Sequence, residues 1–120
     1  MTVSFAFIEL YNPRPSWLAL SASAQQAYVQ AVVGHVEQAV SSGVEILAFG
    51  TNAHATPHRS PYAYYCVYRL PNAEAAVEFE QLIQSAGWYD YFDQANLCGP
   101  TFEVGEFFQT HVGATGHAPA

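Results

Sequence analysis

Lysine is absent from the chain. Its 120 residues carry three arginines, Arg14, Arg59 and Arg69, against ten acidic side chains. A formal net charge of −7 leaves almost nothing to neutralise a phosphate backbone or an anionic lipid surface, so neither nucleic acid nor membrane is expected as a partner. Charge of either sign is scarce: 11% of residues carry it, where about a quarter is usual. So thin a polar coat predicts an oligomer or a large apolar cavity. Long apolar runs are missing too, and none approaches the roughly 18 residues of a membrane helix. The opening MTVSFAFIEL has neither the basic start nor the small-residue cleavage site of a secretion signal. Cys66 and Cys98 are isolated, at no metal-like spacing, and read as free thiols of a cytoplasmic protein. Also absent are a phosphate-binding glycine loop, a nucleophile elbow, HExxH and any telling Cys–His pair.

What is present is grease: 51% of residues are hydrophobic and 15% aromatic, which excludes disorder. The length suits one domain, expected over residues 1–112, with the small residues 113–120 as a flexible tail. Residues 62–70, YAYYCVYRL, are aromatic and β-branched and stand between Pro61 and Pro71. They read as a strand with Tyr62, Tyr64, Cys66, Tyr68 and Leu70 on one face and Ala63, Tyr65, Val67 and Arg69 on the other. Residues 3–11 alternate as an earlier strand whose Phe5, Phe7, Glu9 and Tyr11 share a face. Residues 44–52 form another, apolar on both sides apart from Glu45. A fourth strand is expected over residues 101–111, where Phe102, Val104, Glu106 and Phe108 alternate with Glu103, Gly105, Phe107 and Gln109.

Two stretches have helical spacing. Residues 23–42 place Ala24, Tyr28, Ala31, Val32, His35 and Ala39 on one stripe, with Ser21 or Ser23 as N-cap and Gly43 as the stop. Residues 73–86, capped by Asn72, turn Ala76, Phe79, Leu82, Ile83 and Ala86 inward. Trp88 to Gln94 reads as a short helical turn, and Asn12 to Trp17 as a connection stiffened by two prolines. The order βαββαβ defines an α+β, ferredoxin-like fold: a four-stranded antiparallel sheet with two helices on one face. Nothing then remains to cover Ile8, Leu10, Leu47, Phe49, Tyr65 and Val67 on the other face, a patch larger than soluble monomers leave open. A second copy is the simplest cover, which predicts a homodimer.

The βαββαβ order, the doubly apolar strands and the segment AGWYDYFDQAN from Ala86 to Asn96 resemble the dimeric α+β barrel superfamily, and within it a small bacterial family without assigned function. The resemblance spans about residues 3–109. It implies the fold of cofactor-independent quinone-forming monooxygenases, polyketide cyclases, muconolactone isomerases, chlorite dismutase-like haem proteins and stress-related binding modules, with a ligand held between helices and sheet. No motif selects one of them, and no catalytic residue carries over.

The residues themselves nominate a site. A cavity between helices and sheet would see Phe5, Phe7 and Glu9, with Tyr28, Val32 and His35 above, Trp88, Tyr91 and Phe92 closing one end, and Phe102 in the floor. Such an aromatic, apolar pocket with few polar groups is the usual form of a small-molecule site. Glu9 and His35 are its acid/base candidates, because a desolvated carboxylate is pushed toward neutrality and a histidine can share its proton. Asn52, His54 and Tyr64 are candidates to stabilise an enolate or phenolate. His54 and His58 have the spacing of a two-histidine metal site, yet Pro57 breaks any helix that would align them and no third ligand is near, so no metal is expected. The expected function is a small cofactor-free cyclase, isomerase or monooxygenase acting on an apolar aromatic or polyketide-like molecule. A hydrophobic-ligand-binding or stress-response module is the alternative, and a haem protein using His54, His58 or His111 a more distant one.

Overall fold

The structure, a computed structural model, describes residues 4–116. Its sheet is built around β1 (Phe5–Pro13), which pairs antiparallel with β3 (Tyr64–Leu70) on one side and with β4 (Phe92–Pro100) on the other. The seven-residue β2 (Glu45–Thr51) pairs with β3 at the outer edge, giving the strand order β2-β3-β1-β4. This is the expected ferredoxin-like sheet. Val3, the expected first strand residue, lies outside the described residues, as does the end of the expected tail.

Register decides which side chains share a face. Phe7 stands between Tyr68 and Cys98, Glu9 between Cys66 and Asn96, and Tyr11 between Tyr64 and Gln94. These rows all point to the helical side, because alternate residues of a strand share a face. A register shift between Ile46 and Ala48 changes the expected parity in β2. It brings Phe49, expected on the bare face, opposite Cys66 and against the Tyr68 ring at 5.5 Å.

Two long helices cover that side. In α3 (Ala73–Ser85) the Asn72 side chain accepts from the Ala75 amide at 2.8 Å, and Ala76 and Phe79 are buried. Phe79 meets Phe7 and Tyr68 edge-on at 5.4 and 4.6 Å, forming the core with Leu70, Val44 and Ala39. The twenty-residue α2 (Ala22–Ser41) is capped by Ser21, whose oxygen accepts from the Ala24 amide at 3.1 Å. It touches down near its ends. Ala39 enters the core, and the Tyr28 hydroxyl donates to the Ala86 carbonyl at 2.6 Å. Between these points Val32, His35 and Val36 are only half-buried, and Val29 and Val33 are exposed. The helix bridges a gap rather than sealing it.

Three expectations are corrected. The fourth strand is Phe92–Pro100, not residues 101–111. Residues beyond Pro100 leave the sheet after Thr101, which is tied to Ser4 by a backbone bond of 2.9 Å, and form the short helix α5 (Val104–Gln109) with no buried residue. Phe102 is therefore no part of a cavity floor; it lies 53% exposed on this projecting arm. Second, the proline-rich connection contains a helical turn, α1 (Pro15–Leu18), with proline at its first position, where a missing amide costs nothing. Third, the Trp88–Gln94 turn is α4 (Trp88–Tyr91) only, entered through Gly87 at φ +74° and running straight into β4.

Among the described residues, no helix lies over the other face of the sheet. Ile8, Leu10 and Val67 are half-buried there, and Leu97 is exposed; Leu47, expected there too, is the unpaired residue of the β2 register shift. Among the described residues no helix is long and apolar enough to cross a membrane.

Candidate functional site: a carboxyl in an apolar cavity

The gap under α2 is a cavity of about 520 Å3. Its floor is Glu9, Tyr11, Tyr64, Cys66 and Tyr68; its roof is Val32, His35 and Val36; Phe79, Leu82 and Ile83 of α3 form one wall and Phe49 another. Trp88 closes the end. Tyr11 stacks on Tyr64 at 5.3 Å and meets Trp88 edge-on at 5.2 Å, while Trp88 lies flat on Phe92 at 3.9 Å. Behind this end Trp17, Tyr28 and Tyr91 pack ring to ring, and an adjoining recess of about 310 Å3 runs between Trp17, Val29 and Phe92.

Glu9 is the polar centre. The middle of a central strand puts it under both helices, and it is 5% exposed. The Gln94 Nε2 donates to its Oε2 at 2.8 Å, and the Tyr68 hydroxyl and Cys66 thiol flank it from the neighbouring strand. Gln94 cannot turn round. The Trp88 indole N–H, a donor only, holds the Gln94 Oε1 at 2.7 Å, which leaves the amide N–H groups for Glu9 and for Asn96 Oδ1 at 2.7 Å. Asn96 donates in turn to the Tyr89 hydroxyl at 3.2 Å, and that hydroxyl to Glu80 at 3.4 Å. A continuous polar chain thus runs from the cavity through the β4 side to a carboxylate on α3.

Burial pushes the Glu9 carboxyl above the usual carboxylate range, against the pull of its three donors. Burial first, and then the Glu9 charge, lift the Cys66 thiol to about 12 and the Tyr68 phenol upward as well. Tyr11 rises for the same first reason, reinforced by Cys66. Near neutral pH these groups are protonated donors ranged about one acid.

Of the residues nominated from the sequence, Glu9, His35, Tyr64, Val32 and Trp88 share the cavity lining. Tyr28, Tyr91 and Phe92 support its aromatic end. Phe7 is in the core beside the cavity and Phe5 packs against that core; neither lines it. Asn52 is occupied elsewhere. Its amide donates to the Ser60 and Tyr62 carbonyls at 2.9 and 2.8 Å, and Arg59 binds its side-chain and backbone oxygens, so it staples the loop after β2. His54 is exposed in that loop, off the cavity wall. Gln94, Tyr68 and Cys66 went unnamed as site residues, although Cys66 and Tyr68 stood on the right strand face.

The walls do not suit haem. His35 is the one histidine among them, with no arginine to pair with the carboxylates of such a group, and His54, His58 and His111 are exposed outside. Among the described residues no three His, Cys, Asp or Glu side chains converge as metal ligands.

Known proteins give the fold a context. Two mutant chlorite dismutases from Candidatus Nitrospira defluvii superpose on it with TM-scores of 0.67 and 0.68, each at 13% identity. They match 98% and 99% of this chain but 50% and 51% of their own, so the chain spans about half the length of these solved structures. At that identity the likeness is one of fold. No curated protein matches the sequence. A family model does, over residues 4–114, and the chain accordingly belongs to the family of unknown function DUF6616.

Proposed function

We propose that the cavity under α2 takes up an apolar, aromatic small molecule and that Glu9 moves a proton on it, as in a small cofactor-free enzyme of the cyclase, isomerase or monooxygenase type. The observation that carries this reading is one carboxyl, 5% exposed, set in a cavity of about 520 Å3 whose other walls are mainly rings and aliphatic side chains. That volume falls within the range of drug-sized ligand sites. A carboxyl lifted by burial is a better base once a substrate C–H or O–H stands against it, because its pKa approaches the working pH. His35 on the roof is placed to pass a proton to solvent. Tyr64, Tyr68 and Cys66 are placed to donate to a developing enolate or phenolate. Asn52 and His54, off the wall, have no part in it.

The functional unit in this proposal is a homodimer joined through the bare face of the sheet, which leaves each cavity on the outside of the pair.

Proton abstraction can be followed without knowing the natural reaction. A polycyclic aromatic 1,3-diketone incubated with the protein in D2O should exchange its activated C–H faster than in buffer, as read by proton NMR. Glu9→Gln should lose most of that acceleration, and His35→Ala part of it. Binding without enhanced exchange would reduce the protein to a ligand carrier. Equal exchange rates in wild type and Glu9→Gln would end the role given to Glu9.

A further inference from the structure

If the cavity is a ligand site, as proposed above, its charge balance says what the ligand carries. The polar groups that act on Glu9 are neutral: the Gln94 amide, which donates to it, and the Tyr68 hydroxyl and Cys66 thiol beside it. The chain has no lysine, and its three arginines are committed elsewhere. Arg14 donates to the Tyr89 carbonyl, Arg59 binds Asn52, and Arg69 pairs with Glu45 at 3.1 Å. The remaining titratable groups in the lining are Tyr11 of β1, Tyr64 and Tyr65 of β3, and His35 and Glu37 of α2; α3 contributes only Phe79, Leu82 and Ile83. Among the described residues, then, neither lysine nor arginine stands against this buried carboxylate, and a buried charge costs free energy unless something pairs with it.

The rings around it complete the pattern. Tyr11, Phe49, Tyr64, Tyr68 and Trp88 line the same space, and aromatic faces attract cations. Glu37 stands in the same wall, and the whole protein, at −7, draws cations toward it. An anionic ligand would meet Glu9 with neither lysine nor arginine in the walls to offset it. A neutral one would leave the carboxylate as it is.

We infer that the ligand is an organic cation, a protonated or quaternary amine on an apolar or aromatic body, with its positive centre against Glu9 among the rings and its body under α2.

Calorimetric titration of the full-length protein with three matched probes tests this: a naphthylmethyl-trimethylammonium salt, its all-carbon neopentyl isostere, and naphthylacetate. The cation should bind at least tenfold more tightly than the isostere, and the anion should show no binding. Glu9→Gln should remove most of the cation's advantage while leaving the isostere unchanged. The wild-type ratio stands by itself should that variant misfold, and Glu37→Gln should preserve most of it. An isostere that matches or outbinds the cation overturns the inference while the cavity remains a ligand site, as does a cation preference undiminished in folded Glu9→Gln. Failure of both probes to bind overturns the cavity reading together with the inference.

Discussion

A glutamate in line with two phenylalanines is the residue on which the proposed site depends, and its cost should be visible in the protein's stability. Burial raises its pKa in the folded state above that in the unfolded chain. Above the unfolded value, then, the folded state holds more proton than the unfolded one, and stability falls as pH rises toward and through the folded pKa. Each unit of elevation corresponds to about 1.4 kcal/mol. Thermal unfolding across mildly acidic to neutral pH should show wild type losing stability with rising pH, and Glu9→Gln should flatten that part of the profile. A Glu9-dependent rise in stability over the same range would mean that its donors outweigh desolvation. The alternation of Phe5, Phe7, Glu9 and Tyr11 made this residue legible in the sequence, since a carboxyl on an apolar strand face must be buried or functional. Its partner Gln94 was not legible. A glutamine has no periodic signature, and its importance follows from the Trp88 N–H fixing its amide and from Tyr11 pairing opposite it in β1.

At the level of elements, period and capping recovered the two long helices and the three β-branched or aromatic strands to within about two residues. The fourth strand misled because local signal and pairing disagree. Residues 101–111, TFEVGEFFQTH, alternate well and carry the strand-favouring aromatics. FDQANLCGP, with Asp, Asn, Gly and Pro, looks like a loop, yet it pairs residue for residue with the whole length of β1. Backbone pairing beside a strong central strand prevailed over propensity. The gap under α2 was equally invisible, because a helical stripe tells which side faces inward but not how closely it approaches. The Tyr28 hydroxyl bond to the Ala86 carbonyl is a tether holding that gap. Tyr28→Phe should cost about 1 kcal/mol and speed amide hydrogen exchange in α2 while leaving β1 and β3 protected. Equal exchange in both proteins would show that the ring packing alone seats the helix.

For the molecule as a whole, the decisive quantity is surface. A folded monomer of this mass should expose about 6,400 Å2, whereas this chain exposes 8421 Å2. Its radius of gyration is 16.4 Å, against about 14 Å for a compact domain of this length. The arm after Thr101 accounts for part of the excess, with Phe102, Val104, Phe107, Phe108 and Val112 between 44% and 75% exposed. The bare sheet face is the other apolar surface left open. Standard interfaces bury about 800 Å2 per partner, so the excess of roughly 2,000 Å2 over the monomer expectation is more than enough for a dimer. Sedimentation at micromolar concentration should therefore give twice the 13.1 kDa chain mass. Leu97, 59% exposed at the centre of β4 on the bare face, is the position to challenge. A Leu97→Arg variant, which adds charge where the lone chain has room for it, should fold, dissociate to monomer and keep cavity binding. A wild type that sediments as a monomer would leave that apolar face without a partner and remove the dimer from the proposal, without touching the cavity, which is built between the helices and the Glu9 face of the sheet.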